Sequence, residues 1–406
     1  MAVEASSFIY PWDLADLGTE RSLRRFRDDG FKSFDLTACY HPITTFVPGG
    51  AGRRLMEMDE GAVFYPASVQ RFGRIKPRLW HEPEVLRTWQ EASDASSQLG
   101  LDLNAWVVAL YQPWIARDYP DCARVLPTGQ RVTAGVCPAS PDVQEFLATL
   151  VSEIASRTPI RAVQLEGVTF PNFDTGWRAG AGTRMLVELG QWSRWLLGLC
   201  FCPSCSAAAK SAGINVQTLR NEIKGKLFAA YQRGEARSDP PFQDAHNDWL
   251  TINPDYAAFL RLRDEACVRL VTRISKALKE AAPTAQLGIW GPDEFTGTRL
   301  NLDDILPLIG ILQTRHGLIA PDNARAARAI ADAHPGMRVK AVHWCGGFVG
   351  PPFGPEFERA LRATAELPAD IMHLMNWALL PPRIASSIVP LLRNIEATVG
   401  GTRVAR

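Results

Sequence analysis

The chain is 406 residues long, 46% hydrophobic and 21% charged, with 44 basic against 43 acidic side chains and a formal net charge of +1. Neither sign forms a long block, so there is no wide cationic field for nucleic acid or anionic lipid. No segment approaches the ~20 consecutive apolar residues of a membrane helix. Met1-Ala2-Val3-Glu4-Ala5 also lacks a basic or apolar leader pattern, so a cytoplasmic chain without a membrane partner is expected. Whether it forms a homo-oligomer is left open. Eight cysteines are too few for a disulfide scaffold, and three of them crowd into Cys200-Phe201-Cys202-Pro203-Ser204-Cys205, too close to pair among themselves.

In chain order, short apolar or β-rich runs predict strands at 7–12, 31–39, 101–110, 161–167, 286–290, 309–313, 338–344 and 371–377. Helical patterns lie between them. Thr19 and Glu20 open a helix that ends at Gly30. Ser140-Pro141 opens one with Val143, Phe146, Leu147, Leu150 and Ile154 at helical spacing. Pro254 starts a long one through Phe259, Leu262, Cys267, Leu270, Ile274 and Leu278. Pro321-Asp322, Pro355-Glu356 and Pro382 start the last three. Eight strands, each followed by helical material, predict an α/β chain folded as a single (β/α)8 TIM barrel over 1–400. The two long connections, 40–80 after the second strand and the helical, cysteine-containing 168–253 after the fourth, fall on the C-terminal face, where barrel active sites are built.

The strand ends are rich in indoles, amides and imidazoles. Trp12, Trp106, Trp290, Trp344 and Trp377 suit the flat apolar faces of sugars, and Tyr40, His41, Asn104, Gln164, His343 and Asn376 suit their hydroxyls. The alternation in Val163-Gln164-Leu165-Glu166 turns Gln164 and Glu166 to one face, the barrel interior. An inward glutamate is costly to bury unpaired. It serves chemistry, or it pairs with an inward cation such as Arg315 or Lys340. Glycosidic cleavage needs a second carboxyl, and Gly291-Pro292-Asp293-Glu294, directly after the fifth strand, supplies Asp293 and Glu294; a turn cap is the other role open to Asp293. Asp13 and Asp35 read as structural acceptors. His41, His343 and His373 reach the same face from different strands, without the spacing of a specific zinc motif.

Cys200-x-Cys202-x-x-Cys205 supplies three soft ligands for a structural zinc, with Cys122 or Cys137 as the fourth; buried apolar thiols are the alternative.

Gln164-Leu165-Glu166 at the fourth strand, the CxCxxC after it and Asn376-Trp377-Ala378-Leu379 at the eighth together resemble bacterial TIM-barrel glycoside hydrolases. The resemblance is to the hypothetical-glycosidase barrels and, more distantly, to the family 42 β-galactosidases. It implies acid catalysis for Glu166 and zinc ligation for Cys200, Cys202 and Cys205. Two positions depart from the family pattern: Leu165 stands where an asparagine usually precedes the glutamate, and the seventh strand ends His343-Trp344-Cys345-Gly346-Gly347 without the nucleophilic glutamate. The expected function is hydrolysis of a small glycoside or oligosaccharide by two carboxylates, with no organic cofactor. A metal-dependent sugar isomerase, epimerase or lyase, or a carbohydrate-binding barrel that has lost its catalytic pair, are the alternatives.

Overall fold

The structure is a computed structural model that describes residues 3–47, 55–170, 190–233, 240–291, 302–316, 323–343, 354–359, 369–374, 376 and 389–390. Eight parallel strands form its centre: β1 (Glu4–Ile9), β2 (Ser33–Tyr40), β3 (Asp102–Val108), β4 (Ala162–Glu166), β5 (Gln286–Trp290), β6 (Ile311–His316), β7 (Arg338–His343) and β8 (Ile371–Leu374). Each pairs with its neighbours in sequence, and β1 pairs with both β2 and β8, which closes the sheet into the expected (β/α)8 barrel. At the seam Ser6 lies opposite His373 on one side and Ser33 on the other.

Alternation along each strand sorts the side chains. Val163 and Leu165 of β4, Val339 and Ala341 of β7, and Met372 and Leu374 of β8 face outward into one continuous apolar core. The helices Pro83–Leu99, Pro141–Arg157 and Pro254–Ala281 close over that core with their own apolar faces. Ser140-Pro141 and Asn253-Pro254 start two of these helices, and Asn253 accepts the Tyr256 N–H as a cap.

The inward face is unusually polar. Lys340 of β7 meets Asp35 of β2 in a fully buried ion pair, and Asn104 Nδ2 donates to Asp35 Oδ1 at 2.9 Å. Burial raises the Asp35 carboxyl and lowers the Lys340 ammonium, each held against that pressure by the other's charge. Lys340, offered by the sequence as a partner for Glu166, is thus committed to Asp35. Gln164 is sealed inside, and neither amide atom has a hydrogen-bond partner among the described residues. Its side chain lies over β5 at Gly288, where a Cβ would come within 1.9 Å of Gln164 Oε1.

The first predicted strand ends well before its expected limit. It stops at Ile9 and not at 12, because Pro11, with its fixed φ and no N–H, opens the helix Pro11–Leu17 behind Tyr10. Trp12 and Asp13 therefore sit on that helix. Between β2 and β3 an antiparallel hairpin, Ile43–Phe46 with Leu55–Met58, sets Ile43, Met56 and Met58 against the aromatic residues above the barrel. After β4, the helices Gln191–Leu197, Pro203–Ser211, Val216–Arg233 and Phe242–Ile252 build a second apolar core around Trp192, Leu196, Ile223 and Trp249. Tyr256 and Phe259, in the first turns of Pro254–Ala281, complete this core, while Leu270, Ile274 and Leu278 of the same helix bind the barrel.

Candidate active site

The C-terminal ends of β1 to β5 and β8 converge on an aromatic floor. Phe8 stacks on Trp106 at 3.9 Å between ring centroids, Tyr10 stacks on Trp12 at 4.2 Å, and Tyr40 meets the Trp106 ring edge-on at 4.8 Å. All five rings are buried. Glu166 and Trp290, at the ends of β4 and β5, are half-buried where the floor opens. The Trp106 indole N–H donates to Glu166 Oε2 at 3.0 Å, so a sealed side chain of β3 orients the carboxylate of β4.

A second hydrogen-bonded chain crosses the floor. Asn376 Nδ2 donates to the Tyr10 hydroxyl at 3.2 Å, and Tyr10 donates to the Tyr40 hydroxyl at 3.0 Å. Asn376 holds φ at 56°, in the left-handed region that asparagine tolerates better than most residues, and its buried Oδ1 has no partner among the described residues. Burial raises the Tyr10 and Tyr40 phenols well above their usual range, and the negative charge of Glu166 adds to this, so both are neutral hydrogen-bond donors.

The imidazoles separate. His41 stacks on Tyr40 at 4.1 Å and sets Nδ1 2.5 Å from the Pro42 carbonyl oxygen. The carbonyl can only accept, so Nδ1 carries the hydrogen. Burial lowers the His41 pKa to about 4 and outweighs that bond. His373 is inside the barrel, edge-on to Phe8 at 4.1 Å, and is held neutral by burial and by the nearby Lys340 charge. His343 ends β7 on the face that carries Val339 and Ala341, its ring 5.5 Å from Phe357 of the outer core. It is not brought to the floor with Glu166, because one residue of strand register separates it from the inward Val342.

Of the other residues singled out in the sequence, Trp12, Tyr40, Trp106, Trp290 and Asn376 join this floor or its rim. Asn104 and Gln164 lie deeper in the barrel. Asp293, Glu294, Trp344 and Trp377 lie outside the described residues. Tyr10, which the sequence reading did not single out, is the link between Asn376 and Tyr40. The signal for it was present in the alternation of Phe8 and Tyr10, which turns both rings to one face.

Beyond the floor, Cys137, Cys200, Cys202 and Cys205 bring their four sulfurs within 4.8 Å of one another. Cys137 Sγ lies 3.5 Å from that of Cys205 and 3.9 Å from that of Cys200. A tetrahedron with ~2.3 Å zinc–sulfur bonds has edges of about 3.8 Å, so the donor set and its spacing fit such an ion. Cys122, the other candidate fourth donor, instead receives the Ser140 hydroxyl at 3.4 Å.

No family model matches the chain and no curated protein matches its sequence. Solved structures do match its fold. The α-L-fucosidase isoenzyme 2 from Paenibacillus thiaminolyticus is 12% identical with a TM-score of 0.57, over 98% of this chain and 50% of that one. A β-galactosidase from Rahnella sp. R3 is 11% identical with a TM-score of 0.57, over 98% of this chain and 56% of that one. The catalytic domain of the β-amylase from Paenibacillus polymyxa is 12% identical with a TM-score of 0.55, over 97% of this chain and 99% of that one. This chain therefore spans about half the length of the first two. At these identities the likeness is one of fold, a barrel shared with glycoside hydrolases.

Proposed function

We propose that the chain is a glycoside hydrolase acting on a small glycoside or oligosaccharide through two carboxyl groups. The observation that carries this is Glu166, half-buried at the end of β4 and oriented by the Trp106 N–H over a floor of aromatic rings. Glu166 is one carboxyl and Asp293 or Glu294, from the connection after β5, is the other. One protonates the leaving oxygen while the other attacks the anomeric carbon or activates water. β4 and β5 are adjacent, which supports that pairing. Trp290 offers a half-exposed indole to a sugar face. The Tyr40 hydroxyl, polarised by Tyr10 and Asn376, and Asn376 Oδ1, which has no partner among the described residues, supply a donor and an acceptor for sugar hydroxyls. Cys137, Cys200, Cys202 and Cys205 would hold a structural zinc, whose thiolates leave no open position for substrate, so it supplies folding energy and takes no part in the chemistry.

The test uses a panel of aryl glycosides with Glu166→Gln, Asp293→Asn and Glu294→Gln. Glu166→Gln should lower turnover by at least ~10²-fold, the low end for general acid–base catalysis, with sugar binding retained. One of the other two should fall comparably and the other little. Near-normal turnover in all three overturns the assignment. Binding without turnover in the wild type favours a carbohydrate-binding barrel, and isomerisation abolished by chelation favours the metal-dependent alternative.

A further inference from the structure

Two arginines are buried without an ion pair among the described residues, although the exposed Asp264 lies near enough to Arg263 to feel its charge. Arg124 exposes 2% of its surface and Arg263 6%. Arg124 Nη2 donates to the Gly198 carbonyl at 3.1 Å, and its Nε has no acceptor. The Arg263 guanidinium lies 3.9 Å over the Phe170 ring, and its Nη1 has no acceptor. A guanidinium stays protonated in any protein environment, so neither residue can escape the cost of burial by becoming neutral. A compensating negative charge is required.

Both arginines flank the cysteine cluster. Arg124 precedes Val125, whose carbonyl accepts the Phe201 N–H at 2.7 Å, so its strand runs against the segment that carries Cys200 and Cys202. Phe170, beneath the Arg263 guanidinium, packs with Cys137, Cys200, Cys202, Cys205 and Cys267, and Arg263 precedes Cys267 by one helical turn. The Arg124 charge is felt at Cys200 and Cys137.

We propose that Arg124 and Arg263 are the counter-charges of a divalent cation held by Cys137, Cys200, Cys202 and Cys205, an inference that rests on the metal-binding role given to that cluster above. With the ion bound, four thiolates and one divalent cation carry a net charge of −2, any thiol protons having gone to solvent. The two permanent guanidinium charges bring the buried assembly to zero. Without the ion, the same interior keeps the two permanent guanidinium charges. The arginines are positioning residues for the metal centre and tune it to a divalent ion.

The experiment compares the wild type, Cys202→Ser, Arg124→Met, Arg263→Met and the charge-keeping Arg124→Lys and Arg263→Lys. Metal is measured by elemental analysis, Zn²⁺ affinity by competition with a chromophoric chelator, and Tm with and without metal. The wild type should hold about one equivalent and Cys202→Ser should lose it. Each methionine variant should bind Zn²⁺ ~10–100-fold more weakly, the range for residues that act on a metal through its ligands, while each lysine variant keeps most of the affinity. The rise in Tm on metal binding should be smaller in the methionine variants, because their metal-free form is relieved of an uncompensated charge. Co²⁺-loaded Arg124→Met should keep the absorption of a tetrahedral tetrathiolate, so that the loss is one of charge and not of ligands. Methionine variants with wild-type affinity, or lysine variants as weak as the methionine ones, overturn the proposal and leave the metal site standing. A methionine variant that does not fold leaves the decision to its lysine counterpart. A wild type that holds no metal and takes up no Zn²⁺ overturns the metal role of the cluster, and the proposal with it.

Discussion

For the proposed reaction, the Trp106–Glu166 hydrogen bond is the tightest constraint at the level of single residues, since it fixes the plane of the carboxylate assigned to the substrate. Trp106→Phe keeps one aromatic ring beside Phe8 and removes the N–H together with the second ring of the indole. A hydrogen bond to a charged group contributes about 1.5–3 kcal/mol, so kcat on the best aryl glycoside should fall by about 10–100-fold with KM little changed. An unchanged kcat would mean that the carboxyl is oriented by something else. The inward pointing of Glu166 was legible because strand periodicity leaves no choice once Val163 and Leu165 are recognised as core. The partner of Lys340 was not, because Asp35 lies 305 residues away and only barrel closure brings the two together.

At the level of the elements, strand order and helix starts could be read from the sequence while strand ends were less secure. Pro11 ended β1 three residues before the predicted limit, since a local backbone constraint overrides an aromatic run that otherwise looks extended. His343 was assigned to the correct strand and end but to the wrong face, a shift of one residue in a period-two pattern. Gly61 makes a similar local demand. It holds φ at +80°, and a Cβ there would lie 2.5 Å from the Tyr40 carbonyl oxygen, where the short strand Ala62–Val63 turns back onto β2. Gly61→Ala should cost about 1–2 kcal/mol from the backbone conformation alone, and more from the contact. Urea unfolding that shows no loss of stability would contradict the tight approach of this turn to the base of Tyr40.

For the whole molecule, the neutral imidazoles make stability depend on pH. In the folded state His41 has a pKa of about 4, against ~6.5 when unfolded. As pH falls through ~6.5 the unfolded chain takes up a proton that the folded chain refuses, so stability drops between about 6.5 and 4 by up to ~1.4 kcal/mol per pH unit and levels off below. His373, lowered further by burial and Lys340, acts in the same direction. His41→Asn should flatten the dependence of Tm on pH in this window by close to one proton, and identical slopes for variant and wild type would remove His41 from the account. The barrel itself was legible from eight strand signals. The helical core around Trp192 and Trp249 was visible only as a long cysteine-bearing connection, because its packing joins residues from four separate helices.

The seam between β1 and β8 also bears on how the chain folds. Ser6 meets His373 across 367 residues, while the widest of the other pairings, Ala162 with Gln286, spans 124. The entropy of closing so long a loop is recovered only when both edges are already formed. The seven other strand pairings close shorter loops, even β4 with β5 across the helical insertion, and the seam is then the last to zip. Glu4 marks this order at the N-terminal end of the barrel. It accepts from Ser33 of β2 and from Arg338 of β7, at 2.6 Å in the latter case, and so clasps three strands that only the finished ring brings together. Substitutions at Glu4 should therefore speed unfolding far more than they slow folding, the signature of an interaction absent from the transition state.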